Sequence, residues 1–178
     1  MNVSKETHHM IIAALLLTLA VMIQILGKNI PQINQLFVGP IVNSILLLAV
    51  YFSGVKWAMI IGALTPLLAF FTGVLAAPMA PFIPFIAVGN FLYVLIFSFF
   101  KNRRNGEPIG VLAGSLIKFL FLFFSATKLI DLIAVSIPQP VKDKLAVSMG
   151  LPQFVTALAG GAIAMALFKM LKQRISTI

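Results

Sequence analysis

The sequence predicts an all-α membrane protein of six transmembrane helices with both termini in the cytoplasm, and three observations predict it. Of the 178 residues, 61% are hydrophobic and 10% charged, where an ordinary soluble domain carries about 25% charged residues. The mean hydropathy is +1.09, more apolar surface than a water-soluble globule of this size can hide. The apolar residues also fall into six runs separated by polar or proline-marked breaks. At about 20 residues per span, six helices would use about 120 residues and leave about 58 for connections and tails.

Each element follows in turn. Residues 10–26 exceed the 7–15 or so of a signal-peptide core and precede no small-x-small cleavage site, so they read as a retained first helix. Gly27, Lys28, Asn29 and Pro31 break the pattern, and a polar loop runs through Gln35. The second helix covers residues 37–52, with Pro40 near its start, where the missing N–H does least harm. A tight turn at Ser53, Gly54 and Lys56 leads to a third helix over residues 57–75. Pro66 should kink that helix, its freed carbonyl being satisfied by Thr65 or by another helix. Pro78, Pro81 and Pro84 then forbid a continuous helix in an apolar segment, which must lie in the interface or over a cavity. The fourth helix covers residues 85–100 and ends at the polar turn Lys101 to Pro108. The fifth, residues 109–135, would be about 40 Å long and outrun a hydrocarbon core of about 30 Å. A loop over residues 136–150 precedes the sixth helix at 151–170. No repeat or second domain interrupts residues 1–178, which read as one integral, multi-pass membrane domain.

The net charge of +9 reads first as topology. With both termini inside, eight basic residues fall on the cytoplasmic side: Lys5, Lys56, Lys101, Arg103, Arg104, Lys169, Lys172 and Arg174. Three fall outside, Lys28, Lys142 and Lys144, and Lys118 and Lys128 stay within the fifth helix. Lys118 would sit about 13 Å into that span, while Lys128 and Asp131, spaced i, i+3, lie near its outer end. An intramembrane charge costs about 2.5–3.5 kcal/mol at a helix centre. The Lys128–Asp131 pair therefore either solvates the helix end or faces a ligand. Lys118 either snorkels or joins Ser125 in a polar stripe toward a cavity or partner.

The outer half is rich in uncharged polar groups, among them Gln24, Asn29, Gln32, Asn34, Gln35, Asn43, Asn90, Tyr93, Gln139, Gln153 and Thr156. Interleaved with Phe37, Phe71, Met79 and Phe82, they suit a small-molecule site with an apolar wall and a few orienting donors and acceptors. Asn43 and Asn90 weigh most because each stands inside an apolar helix, where an unpaired amide is expensive; each either packs helices through a hydrogen bond or meets a ligand. The candidate substrate-binding residues are Asn29, Gln32, Asn34, Gln35, Asn43, Met79, Phe82, Asn90, Tyr93, Lys128 and Asp131.

Catalytic machinery is missing. Cysteine is absent and both histidines, His8 and His9, lie in the N-terminal tail, so thiolate chemistry, cysteine metal sites and an intramembrane imidazole have no residues to supply them. There is no phosphate-cradling loop, no paired carboxylates and no Ser–His pair. Four acidic residues do not furnish a carboxylate relay for ion coupling. The chain reads as a non-enzyme without metal or cofactor, powered from elsewhere if it transports.

In its length, its basic cytoplasmic ends and an alanine-rich first helix running from Ile11 to Ala20, the chain resembles the S-components of energy-coupling factor (ECF) vitamin transporters. The resemblance implies a partner-docking face of small residues, Ala13, Ala14, Thr18 and Ala20, against a transmembrane T-component, with two cytoplasmic ATPases doing the work. It also implies a vitamin bound at the outer end, a gate over it formed by the Pro78–Pro84 segment, and toppling on docking. Thr65-Pro66, the Pro81 to Phe85 stretch and the amide-rich first loop look most like the cobalamin-type branch. Pantothenate or another small vitamin, with Lys128 as carboxylate partner, is the alternative. A non-transporting membrane scaffold or accessory subunit is the alternative from a different class.

Overall fold

In a bilayer every backbone N–H and C=O must be paired internally, and the apolar runs accordingly fold as helices. The computed structural model describes residues 3–28, 34–129 and 138–175. In chain order the helices are α1 (Val3–Lys28), α2 (Asn34–Phe52), α3 (Val55–Phe71), α4 (Ile83–Phe100), α5 (Gly106–Phe124), α6 (Gln139–Ser148) and α7 (Leu151–Ile175). A 3-10 turn, Ala77–Phe82, leads into α4, and a π-helical turn, Ser125–Leu129, extends α5.

The expectation of six spans is corrected to four. Among the described residues, four helical stretches are long and apolar enough to cross a membrane: Ser4–Lys28, Ala77–Phe100, Gly106–Leu129 and Gln139–Arg174. Leu36–Phe52 and Val55–Phe71 are shorter; the 17 residues of α3 reach about 26 Å, short of a core of about 30 Å. Four crossings, like six, leave both termini on one side of the membrane. Hydropathy alone cannot separate a lipid-facing helix from one buried in protein, and α2 is the second kind. All residues from Asn43 to Val50 are buried, packed among α1, α3, α4 and α7; a helix apolar all round belongs in a core.

Three local expectations change as well. The third helix ends at Phe71 rather than residue 75, because Gly73 takes a left-handed φ of 69° that stops the helix. The N–H groups of Val74 and Leu75 both return to Ala69 O, and Lys28 Nζ donates to Thr72 O at 3.3 Å, a cation at a helix C-terminus. The proline-rich segment is helical after all: Pro78 and Pro84 occupy the first turns of the 3-10 turn and of α4, where no N–H is needed. Residues 136–150 are likewise not all loop, since Gln139–Ser148 form α6 behind Pro138 and Pro140.

Lys56, Lys101 and Arg103 stand at the end of the bundle where α1 begins and α7 ends. There Lys56 pairs with Glu6 at 2.9 Å, Lys101 Nζ donates to Val50 O at 3.2 Å, and the Arg103 guanidinium stands 4.4 Å from the Phe99 ring. Burial lowers the pKa of Lys101, and nearby Glu107 opposes the shift. A second small core, Met79, Phe82, Leu122, Ala126, Leu145 and Met149, closes the opposite end under α6.

Candidate functional site

The site begins with a proline. Pro66 lies inside α3 and has no N–H to give to the carbonyl four residues earlier. That carbonyl, Gly62 O, accepts instead from Asn90 Nδ2 of α4 at 2.9 Å and from Thr65 Oγ1 at 3.5 Å, the two sources expected from the sequence. With its amide nitrogen held there, Asn90 presents its oxygen inward. Asn43 does the same on α2, its Nδ2 donating to Gly39 O at 3.0 Å. Both oxygens accept from one donor, Lys118 Nζ of α5, at 2.6 Å to Asn43 Oδ1 and 2.8 Å to Asn90 Oδ1.

Lys118 therefore does not snorkel; it faces a cavity, but without Ser125, which does not line that cavity and whose hydroxyl donates to Phe121 O at 2.7 Å. It is 3% exposed and its ammonium lies 5.4 Å from the centre of the Tyr93 ring, a cation–π contact. Tyr93 is pinned in turn, its hydroxyl donating to Ala157 O of α7 at 2.7 Å. Among the described residues no carboxylate forms a salt bridge with Lys118, whose buried amine is held by neutral acceptors. An ammonium carries three donors, and the two amides use two.

Close approach of α2 and α7 places Asn43. A Cβ on Gly160 would stand 2.5 Å from Pro40 O, 2.6 Å from Asn43 Cβ and 3.0 Å from Ser44 N, so only glycine lets the helices meet at this separation.

Above Lys118 opens a cavity of about 180 Å³. Its walls come from six helices: Gln24 of α1, Val38, Val42 and Asn43 of α2, Thr65, Pro66 and Ala69 of α3, Ile86 and Asn90 of α4, Lys118 of α5 and Gln153 of α7, with Leu75 beside them. Among the described residues, Lys118 is the one charged residue on these walls. Gln24 is buried, and its Oε1 has no hydrogen-bond partner among the described residues. A larger hollow of about 550 Å³ between α5, α6 and α7 is lined by Phe119, Phe123, Val147 and Leu151, three of them exposed; it is an apolar groove with no charged wall among the described residues.

The expected site residues divide. Asn43 and Asn90 line the cavity, and Tyr93 supports it from behind. Met79 and Phe82 belong to the second core and do not line it. Lys128 is exposed on the π-helical turn, Asn34 and Gln35 stand in the first turn of α2, and Asn29, Gln32 and Asp131 lie outside the described residues. Lys118 and Thr65 complete the site. What marks Lys118 in the sequence is its mid-span depth, and what marks Gly62 is its place four residues before Pro66.

The expected docking face divides too. Ala13 and Ala20 are 4% and 0% exposed and pack into the main core, whereas Ala14 and Thr18 are exposed. They lie on a stripe with Ile11, Leu15, Met22 and Ile25, all exposed. At about 100° per residue, positions 13 and 20 share one face of α1, while 14 and 18 lie about 100° and 140° round the helix from position 13.

A family model described as ECF transporter, substrate-specific component, matches residues 8–172. No curated protein and no solved structure matches the chain. The match runs from the second turn of α1 to the last turns of α7 and takes in every helix that lines the cavity, and this multi-pass membrane protein thus belongs to the substrate-specific components of ECF transporters, carriers that bind without catalysing.

Proposed function

We propose that the chain is the vitamin-binding subunit of an ECF importer and that the cavity above Lys118 is its substrate site. One observation carries this: a single cavity in the bundle draws a wall residue from each of the long helices α1 to α5 and α7 and gathers the buried polar groups Asn43, Thr65, Asn90 and Lys118 around it. Concave, mostly apolar hollows with a few convergent polar groups are where small molecules bind. A volume of about 180 Å³ lies below the usual range of about 300–1,000 Å³ for ligand pockets. It favours a small vitamin over cobalamin, whose corrin ring is far larger. A transmembrane T-component and two ATPases would supply the work, since the chain carries no phosphate-binding loop of its own.

The experiment is to purify the chain from vitamin-replete cells and identify what it retains. A small vitamin at near-stoichiometric amount is expected, in a protein without visible absorbance. Retained cobalamin, with its colour, would restore the larger substrate, and failure to bind any vitamin would favour the scaffold reading.

Docking is proposed on the exposed stripe of α1. Ala14→Trp is expected to abolish uptake by the assembled transporter while leaving ligand affinity within twofold. Ala13→Leu, on the buried face, should instead destabilise the chain by about 1–3 kcal/mol through overpacking. Equal effects of the two substitutions on thermal stability would place the docking face elsewhere.

A further inference from the structure

We infer that the substrate carries a single carboxylate-type negative charge, and that Lys118 binds it directly; this rests on the cavity being the substrate site. An intramembrane lysine is costly, and no carboxylate among the described residues neutralises this one. The two amide oxygens, at 2.6 and 2.8 Å, leave the ammonium its third donor and its whole charge, on a wall of the cavity. Helix packing alone would be served as well by a neutral side chain in place of Lys118. A charge kept in an apolar surround at such expense selects a ligand of opposite sign, because Coulomb attraction there is far less screened than in water. Asn43 and Asn90 hold the ammonium in place, as their nitrogens are already committed to Gly39 O and Gly62 O. Gln24, with an amide oxygen buried and unpartnered on the same cavity, supplies a second point of contact. It would accept from a hydroxyl or amide N–H elsewhere on the ligand. The specificity that follows is for a small, monoanionic, hydrogen-bonding molecule, with neutral corrinoids and cationic vitamins rejected.

The test uses the full-length chain in detergent micelles and a panel of radiolabelled vitamins. Pantothenate, biotin, lipoate and nicotinate represent the monoanions, riboflavin, pyridoxine and cobalamin the uncharged class, and thiamine the cations. The tightest binder is expected among the monoanions. Its analogue with carboxamide or alcohol in place of carboxylate should bind at least tenfold more weakly. Lys118→Met should erase that discrimination, both forms binding with similar affinity, while Gln24→Leu should weaken both forms alike. Tightest binding of an uncharged or cationic vitamin would overturn the inference and leave the proposed function standing. Binding of no panel member would overturn both. Discrimination that survives Lys118→Met would also overturn it, by showing that Lys118 only packs the helices. Should Lys118→Met fail to fold, Lys118→Arg, which keeps the charge, must retain the discrimination; its loss there would count against the inference equally.

Discussion

Asn90→Leu is expected to destabilise the protein by about 3 kcal/mol. The substitution keeps the side chain's size and removes two bonds at once, the donation to Gly62 O at 2.9 Å and the acceptance from Lys118 at 2.8 Å. Hydrogen bonds to charged groups are worth about 1.5–3 kcal/mol, and a buried carbonyl left unpaired costs about 1–3 kcal/mol. A denaturation midpoint followed by the fluorescence of the chain's one tryptophan, Trp57, measures the loss. The cause is separable by a double-mutant cycle. Pro66→Ala restores the N–H that α3 lacks, so Gly62 O regains a helical partner. In the Asn90→Leu background that change should be more favourable than in the native chain by about 1 kcal/mol, the coupling expected of residues sharing one partner. Strict additivity would break the link between Pro66 and Asn90.

Gly160→Ala is the second large effect, expected to cost about 2–3 kcal/mol and to weaken substrate binding at least tenfold. The added methyl would meet Pro40 O at 2.5 Å and Ser44 N at 3.0 Å. Both are backbone atoms, and overpacking that cannot be relieved by rotating a side chain forces helices apart. Moving α2 away from α7 carries Asn43 with it and loosens the 2.6 Å bond to Lys118. Stability and affinity measured on one sample should fall together. An affinity unchanged in a destabilised protein would mean that Asn43 does not position the lysine.

How much of this could be read in advance varies residue by residue. Pro66 announces a free carbonyl, and the expected partners, Thr65 or another helix, are those found, because the rule depends only on a missing N–H. The proline-rich segment misleads for the same local reason. Three prolines forbid a regular α-helix through their midst, yet two of them fall in first turns that need no N–H. The alanines of α1 are visible as small residues, but which of them face lipid depends on where α2 and α3 pack. Asn43 and Lys118 are 75 residues apart, and no local pattern joins them.

Composition and hydropathy by themselves determined that this is a helical membrane protein, because a chain with 61% hydrophobic and 10% charged residues, laid out in long continuous apolar runs, satisfies its backbone in lipid by forming helices. Tertiary packing decided the rest. The helices that remain too short to span lipid, the burial of α2 from Asn43 to Val50, and the meeting of Lys118 with two amides above a cavity all depend on which faces touch. Apolar side chains are equally at home against lipid and against protein, so hydrophobicity cannot choose between them; steric fit at small residues such as Gly160 and the pairing of buried polar groups make that choice.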